Sequence, residues 1–108
     1  MKALVSAILA LFLLNTTVFA DAKKGQKLFL KKMKSCKKDG VKNGLIFATK
    51  HTQSEWIEIK ETNKLRDEFK NICPSTTKKI DKMKDKHIND LYDFSYDYAS
   101  DSGNIPSC

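Results

Sequence analysis

Apolar side chains recur at helical spacing in the C-terminal part of the chain, from about Lys86 to Ser100. This spacing predicts a helix with one apolar face and one acidic face. The apolar face holds Ile88, Leu91, Tyr92, Ser95, Tyr98 and Ala99, and the acidic face holds Asp90, Asp93, Asp97 and Asp101. Because no stretch alternates apolar and polar residues as a half-buried strand does, the predicted fold class is all-α.

A first helix is predicted from about Ala22 to Lys37, because apolar residues recur there at the same spacing. Its buried face holds Phe29, Met33 and Cys36, flanked by Leu28 and Leu30. Lysines occupy the opposite face. Asp39 and Gly40 mark the end of this helix, since this pair favours a turn.

The middle of the chain predicts two shorter helices. The first begins at Thr52, because Thr52 and Glu55 have the spacing of a capping box. Its buried side is predicted to hold Trp56, Ile57 and Ile59. The second runs from Lys64 to Cys73 and is closed by Pro74. The lysine-rich segment from Ser75 to Lys86 is predicted to be a connector that starts a helix near Thr77.

The N-terminal segment has the features of a secretory signal peptide. Lys2 precedes an apolar run from Ala3 to Leu14, and small residues lead up to Ala20. We therefore expect cleavage after Ala20 and export to the periplasm or the exterior. A membrane anchor is the alternative, although the run is shorter than the roughly 20 residues that a span needs. Residues 21–108 then form a single domain.

Three cysteines occur in this predicted domain, at positions 36, 73 and 108. A domain of this size has a marginal core, and export places its thiols in an oxidising compartment. One disulfide is therefore expected, with one thiol left over. The residues alone allow three pairings.

Positive charge is concentrated near the start of the domain. Lys23 to Lys42 contains nine lysines against Asp39 alone, and no basic residue follows His87. A charge distribution of this kind favours docking to an oppositely charged partner. The alternative is that these lysines only form helix faces exposed to solvent.

Nucleic acid is not expected as a partner, because Arg66 is the only arginine. No residue pattern indicates an enzyme or a metal site, and His51 and His87 are isolated in the sequence.

Several of these residues, taken in order, resemble class I cytochromes c. That family opens with a helix of pattern G-x-x-[LF]-F followed by C-x-x-C-H, has a middle helix with Thr and Glu-Trp, supplies a ligand from Met-Pro, and closes with an aromatic helix. The matching positions here are Gly25, Leu28, Phe29, Met33, Cys36 and Lys37, then Thr52, Glu55 and Trp56, then Cys73 and Pro74, and finally Leu91 to Ala99.

The resemblance implies a small bundle of three to four helices with crossed N- and C-terminal helices. It also implies a degenerate haem site, because Met33 replaces the first cysteine and Lys37 replaces the histidine ligand. We therefore expect no covalent haem and a role in periplasmic electron transfer. The alternative cytochrome would attach haem c through Cys36, with Lys37 or His51 as one ligand and Cys73 as the other.

The cytochrome layout directs Cys36 and Cys73 toward the same pocket, so the resemblance implies a Cys36–Cys73 disulfide in place of haem. A Cys73–Cys108 bridge is the rival pairing. Under the first pairing Cys108 is a free thiol, through which two copies of the chain can form a disulfide-linked dimer.

By the same analogy with cytochromes c, a docking surface for an acidic protein, such as a periplasmic redox complex, is expected at Lys27, Lys31, Lys34 and Lys38. The alternative function is a disulfide-stapled interaction module with no redox role.

Overall fold

The computed structural model of this chain describes residues 22–104, and it is all-α: no strand occurs within that range. The predicted leader at residues 1–20 and Cys108 lie outside the described residues. Helix α1 spans residues 22–32. The remaining α-helices are α2 (Gly44–Ala48), α3 (Gln53–Glu61), α4 (Leu65–Ile72), α5 (Thr77–Lys82) and α6 (Asp85–Asp97). Two short 3-10 helices, Lys34–Asp39 and Pro74–Thr76, lie between them.

The capping box predicted at Thr52 is confirmed at the start of α3. The Thr52 hydroxyl accepts a hydrogen bond from the Glu55 N–H at 3.2 Å, and the Glu55 carboxylate accepts one from the Thr52 N–H at 2.8 Å. The latter bond lowers the pKa of Glu55. Helix α2 was not predicted. It begins where the Asn43 side chain accepts a hydrogen bond from the Ile46 N–H, which satisfies one of its unpaired amides.

The first helix ends five residues earlier than predicted. Residues 22–32 are α-helical, but the predicted continuation to Lys37 is wrong, because Lys34–Asp39 forms a separate 3-10 helix. Gly40 ends that segment in the left-handed conformation, with φ of 85°. Met33 and Cys36 remain buried as predicted. We attribute the change of helix type to tertiary bonds that hold this segment against Pro74–Thr76.

Aromatic side chains fill the centre of the domain. Phe47 lies between Phe29 and Phe69, with ring centroids 5.1 and 5.4 Å away, and Trp56 packs beside them. The Trp56 indole N–H donates to the carbonyl oxygen of Ala48 at 2.9 Å, so this buried donor is satisfied. Every residue predicted on the apolar face of the C-terminal helix is buried, but α6 ends at Asp97, before the predicted end at Ser100, so Tyr98 and Ala99 follow the helix.

Three burial predictions need correction. Leu30, predicted to flank the core, has an exposed fraction of 58%, and Ile57, predicted on the buried side of α3, has one of 36%. Phe94 was not predicted to be buried, yet it is fully buried between α1 and α2. The reason is that α6 has neighbours on two sides, so its buried face is wider than the simple apolar stripe.

Helices α1 and α6 pack against each other at Gly25. A Cβ atom placed on Gly25 would lie 2.1 Å from the carbonyl oxygen of Asp90 and 2.7 Å from the Cβ atom of Phe94. Only glycine permits this approach of two helix backbones. The contact brings the first and last described helices together and sets the position of the surface between α1 and the α5–α6 corner.

Arg66 stabilises that corner from the other side. Its guanidinium donates to the carbonyl oxygens of Ile80 and Met83, each at 2.6 Å, and to the Asp85 carboxylate at 2.9 Å. The Ile80 carbonyl also accepts a hydrogen bond from the Met83 N–H at 3.2 Å, so Arg66 adds a second donor there and gives the Met83 carbonyl, just past the end of α5, a partner. Arg66 therefore has a structural role, joining α4 to the turn between α5 and α6.

A lysine-lined groove and a buried disulfide as the candidate functional site

A disulfide joins Cys36 to Cys73, with the Cα atoms 4.9 Å apart, and both side chains are fully buried. This is the pairing implied by the cytochrome resemblance. The rival Cys73–Cys108 bridge is excluded in this structure because Cys73 is already bonded. Beside the disulfide, the Asp39 carboxylate accepts hydrogen bonds from the Ser75 N–H at 3.0 Å and the Ser75 hydroxyl at 2.8 Å. Covalent and polar bonds together hold the two 3-10 helices against each other.

The residues that the resemblance assigns to haem do not fit that group in the disulfide-bonded protein. The sulfur atoms of Cys36 and Cys73 are bonded to each other, so neither is available for a thioether or an iron bond. Lys37 is exposed on the protein surface.

His51 is held in place by contacts with Glu68, Glu55 and Trp56. Its ring Nε2 is hydrogen-bonded to the Glu68 carboxylate, and its Nδ1 lies 3.8 Å from the carboxylate of Glu55. The ring packs edge-on against Trp56, with 4.8 Å between centroids. The carbonyl oxygen of His51 accepts a hydrogen bond from the Ser100 N–H. These contacts give His51 a structural role that links α3, α4 and the segment after α6.

A groove runs between α1 and the α5–α6 corner, and we call it the lysine groove. It consists of two adjoining cavities of about 420 and 310 Å³ that share Lys31 and His87. One wall carries the α1 lysines Lys24, Lys27, Lys31 and Lys32. The other wall carries Lys79, Lys82, Lys84 and Lys86. Leu28 and Met83 contribute apolar surface to the lining.

Positive charge in the lysine groove has little compensation. Within residues 22–104, none of its eight lysines forms an ion pair with a carboxylate. The nearby acidic residues bond elsewhere: Asp81 to Lys70 at 2.8 Å, and Asp85 to Arg66. The Asp81 bond also raises the pKa of Lys70. Asp90 is the one carboxylate among the lining residues of the groove. Eight ammonium groups on two facing walls create a strong field for anions.

The structure divides the predicted docking lysines into two pairs. Lys27 and Lys31 line the lysine groove, whereas Lys34 and Lys38 are exposed on the 3-10 helix that follows α1 and do not line it. The second wall was missed by sequence reasoning, because its lysines lie in a segment predicted to be a connector. Their density between Lys78 and Lys86 was the available signal.

A larger cavity of about 600 Å³ lies between α3, α4 and α6, and it is a weaker candidate. Its lining includes Lys60 and Arg66 but also Asp67 and Asp85. Opposite charges balance there, and the guanidinium of Arg66 is already bonded. The charges that line this cavity therefore do not favour a ligand of either sign.

Metal-ligating clusters and membrane-spanning helices are two further features that would bear on function in residues 22–104. No cluster of three or more His, Cys, Asp or Glu side chains there has a metal-binding arrangement. No helix in that range has both the length and the apolar character needed to cross a membrane.

No protein-family model, curated protein or solved structure matches the chain. The cytochrome resemblance stays a prediction that depends on the residues quoted above.

Proposed function

We propose that this protein is an exported, disulfide-stapled helical module that binds an acidic partner protein through the lysine groove and performs no catalysis itself. The observation that carries the proposal is the set of eight lysines without ion pairs on two facing walls. Such a concave, positively charged surface accelerates and orients association with a negatively charged partner. Lysine supplies point charges suited to carboxylates that approach in varied geometry.

Charge reversal in the groove tests the proposal. The variant Lys31→Glu/Lys82→Glu changes one lysine on each wall, whereas Lys34→Glu/Lys38→Glu changes the net charge equally outside the groove. Binding of poly-L-glutamate, measured by isothermal titration calorimetry at about 0.15 M salt, is expected to weaken at least about tenfold in the first variant. We expect less than about a threefold change in the second, since distant exposed charges are screened. Equal losses in both variants would show that only net charge matters and would contradict the groove.

A narrower proposal concerns the partner. Following the resemblance, we propose that it belongs to a periplasmic electron-transfer system and that the protein itself carries no covalent haem. Support comes from the sulfur atoms of Cys36 and Cys73, which are bonded to each other.

A visible absorption spectrum of the purified exported protein tests the haem part of that proposal. We expect no Soret band and, in the unfolded and unreduced monomer, one free thiol, that of Cys108. A Soret band that survives acid-acetone extraction would instead establish a covalently attached haem and support the cytochrome alternative. A control spectrum of an intact cytochrome c exported by the same host shows that haem attachment operates there.

A further inference from the structure

We infer that the lysine groove binds an extended acidic peptide segment of its partner, with successive carboxylates directed to opposite walls. This inference rests on the proposed function and specifies the chemistry of the occupant. It follows from three features of the groove: its length, the spacing of its lysines and its apolar lining.

The length of the groove suits a short extended peptide. Its first wall runs along α1 from Lys24 to Lys32. At a rise of 1.5 Å per helical residue, this wall is about 12 Å long. An extended chain rises about 3.3 Å per residue, so roughly four residues span the wall. The long lysine side chains at each end of this wall can each reach about one further peptide residue. A peptide of about six residues therefore fills the groove.

The spacing of Lys27 and Lys31 is close to that of alternate side chains in an extended chain. On α1, Lys24, Lys27 and Lys31 are three and four residues apart, which corresponds to about 4.5 and 6 Å along the helix axis. Side chains on one face of an extended peptide recur about every 6.6 Å. Because successive side chains of the peptide point in opposite directions, the alternate carboxylates face the second wall, where Lys79 and Lys82 lie.

The lining favours a peptide over a compact anion or a membrane. Met83 and Leu28 add apolar surface to the lining, which an apolar peptide side chain can use and an inorganic anion cannot. Arg66, the only arginine, is bonded to Ile80 and Met83 and is not available for bidentate phosphate binding. A planar bilayer surface does not enter a concave groove between helices.

A series of fluorescein-labelled oligoglutamates tests the inference by fluorescence anisotropy with the intact, oxidised protein. Affinity is expected to rise at least about tenfold from diglutamate to hexaglutamate and to change less than about twofold from hexaglutamate to decaglutamate, because the groove is then full. Replacing every second Glu of hexaglutamate by Ser removes the contacts to one wall. We expect that peptide to bind more weakly than a hexamer with three adjacent glutamates followed by three serines, although the charge is the same.

Other probes identify the outcomes that overturn the inference. Tripolyphosphate that competes as strongly as hexaglutamate would assign the groove to a compact anion. Binding to phosphatidylglycerol vesicles without binding to hexaglutamate would assign it to a membrane surface. Affinity that rises with peptide length without a plateau would indicate unspecific charge attraction. If one of these outcomes occurs and the variant Lys31→Glu/Lys82→Glu loses binding of the probe, the groove binds anions and only the peptide inference fails. If that variant binds every probe as tightly as the wild type does, the proposed function itself is contradicted.

Discussion

Replacing Cys36 and Cys73 together by alanine is expected to lower the free energy of unfolding by about 3–4 kcal/mol. The disulfide closes a loop with a sequence separation of 37 residues, and cross-linking a loop of this length restricts the unfolded chain by about that amount. A domain this small has a total stability on the order of 5–10 kcal/mol, so the loss is a large fraction of it. Urea denaturation of residues 21–108, followed by circular dichroism, measures the change.

Reduction of the wild-type protein supplies the control for this prediction. Reductant should destabilise the wild type and leave the Cys36→Ala/Cys73→Ala variant unchanged. Ser75→Ala removes the neighbouring hydroxyl bond to Asp39 but keeps the disulfide, and we expect a loss of only about 1 kcal/mol. A double variant as stable as the oxidised wild type would refute the stabilising role of the disulfide. Because the two bonded segments continue into the two walls of the lysine groove, reduction should also weaken binding of hexaglutamate.

Replacing Gly25 by alanine is expected to lower the free energy of unfolding by about 2 kcal/mol, an overpacking cost of about 3 kcal/mol less a helix gain of about 1 kcal/mol. In an exposed helix the same change stabilises by about 1 kcal/mol, because alanine restricts the unfolded chain and favours the helix. Here the added methyl group would lie 2.1 Å from the carbonyl oxygen of Asp90, a backbone atom, so α1 has to move away from α6. Overpacking of this kind costs about 1–3 kcal/mol or more. The sign of the effect alone, measured by thermal and urea denaturation, checks the prediction.

Gly44→Ala is the matched comparison for Gly25→Ala. The nearest atom to its added Cβ would be in the ring of Phe94 at 2.7 Å, and a side chain can shift more readily than a helix backbone. We therefore expect a smaller loss than at Gly25. Stabilisation by Gly25→Ala would mean that α1 and α6 do not approach closely in solution, and the placement of the first wall of the groove would then have to be revised.

Local signals in the sequence predicted local structure well. The capping box at Thr52 depends on two side chains three residues apart, and both of its hydrogen bonds are present. The apolar face of α6 follows from periodicity, and its residues are buried. In contrast, the end of α1 was placed too late, because the bonds from Cys36 and Asp39 connect segments that are far apart in the chain. The burial of Phe94 depends in the same way on which helices surround α6.

The candidate site was only half predictable. Lysine density near the start of the domain indicated docking, and Lys27 and Lys31 do line the groove. Sequence alone did not show that the lysines after Thr77 face them across a groove, because that arrangement depends on the disulfide and on the close packing at Gly25. Nor did it show that Asp81 and Asp85 bond to Lys70 and Arg66 on the other side. The uncompensated charge of the groove is therefore a property of the tertiary structure.

The position of the disulfide also determines how a mechanical load passes through the molecule. Cys36 follows α1 closely along the chain, and Cys73 shortly precedes α5. A force that pulls the two groove walls apart is thus carried by a short covalent path through the disulfide, and residues 37–72, which include α2, α3 and α4, bear none of it along the backbone. A partner under tension would therefore strain the two walls of the lysine groove without pulling on α2, α3 and α4 through the backbone.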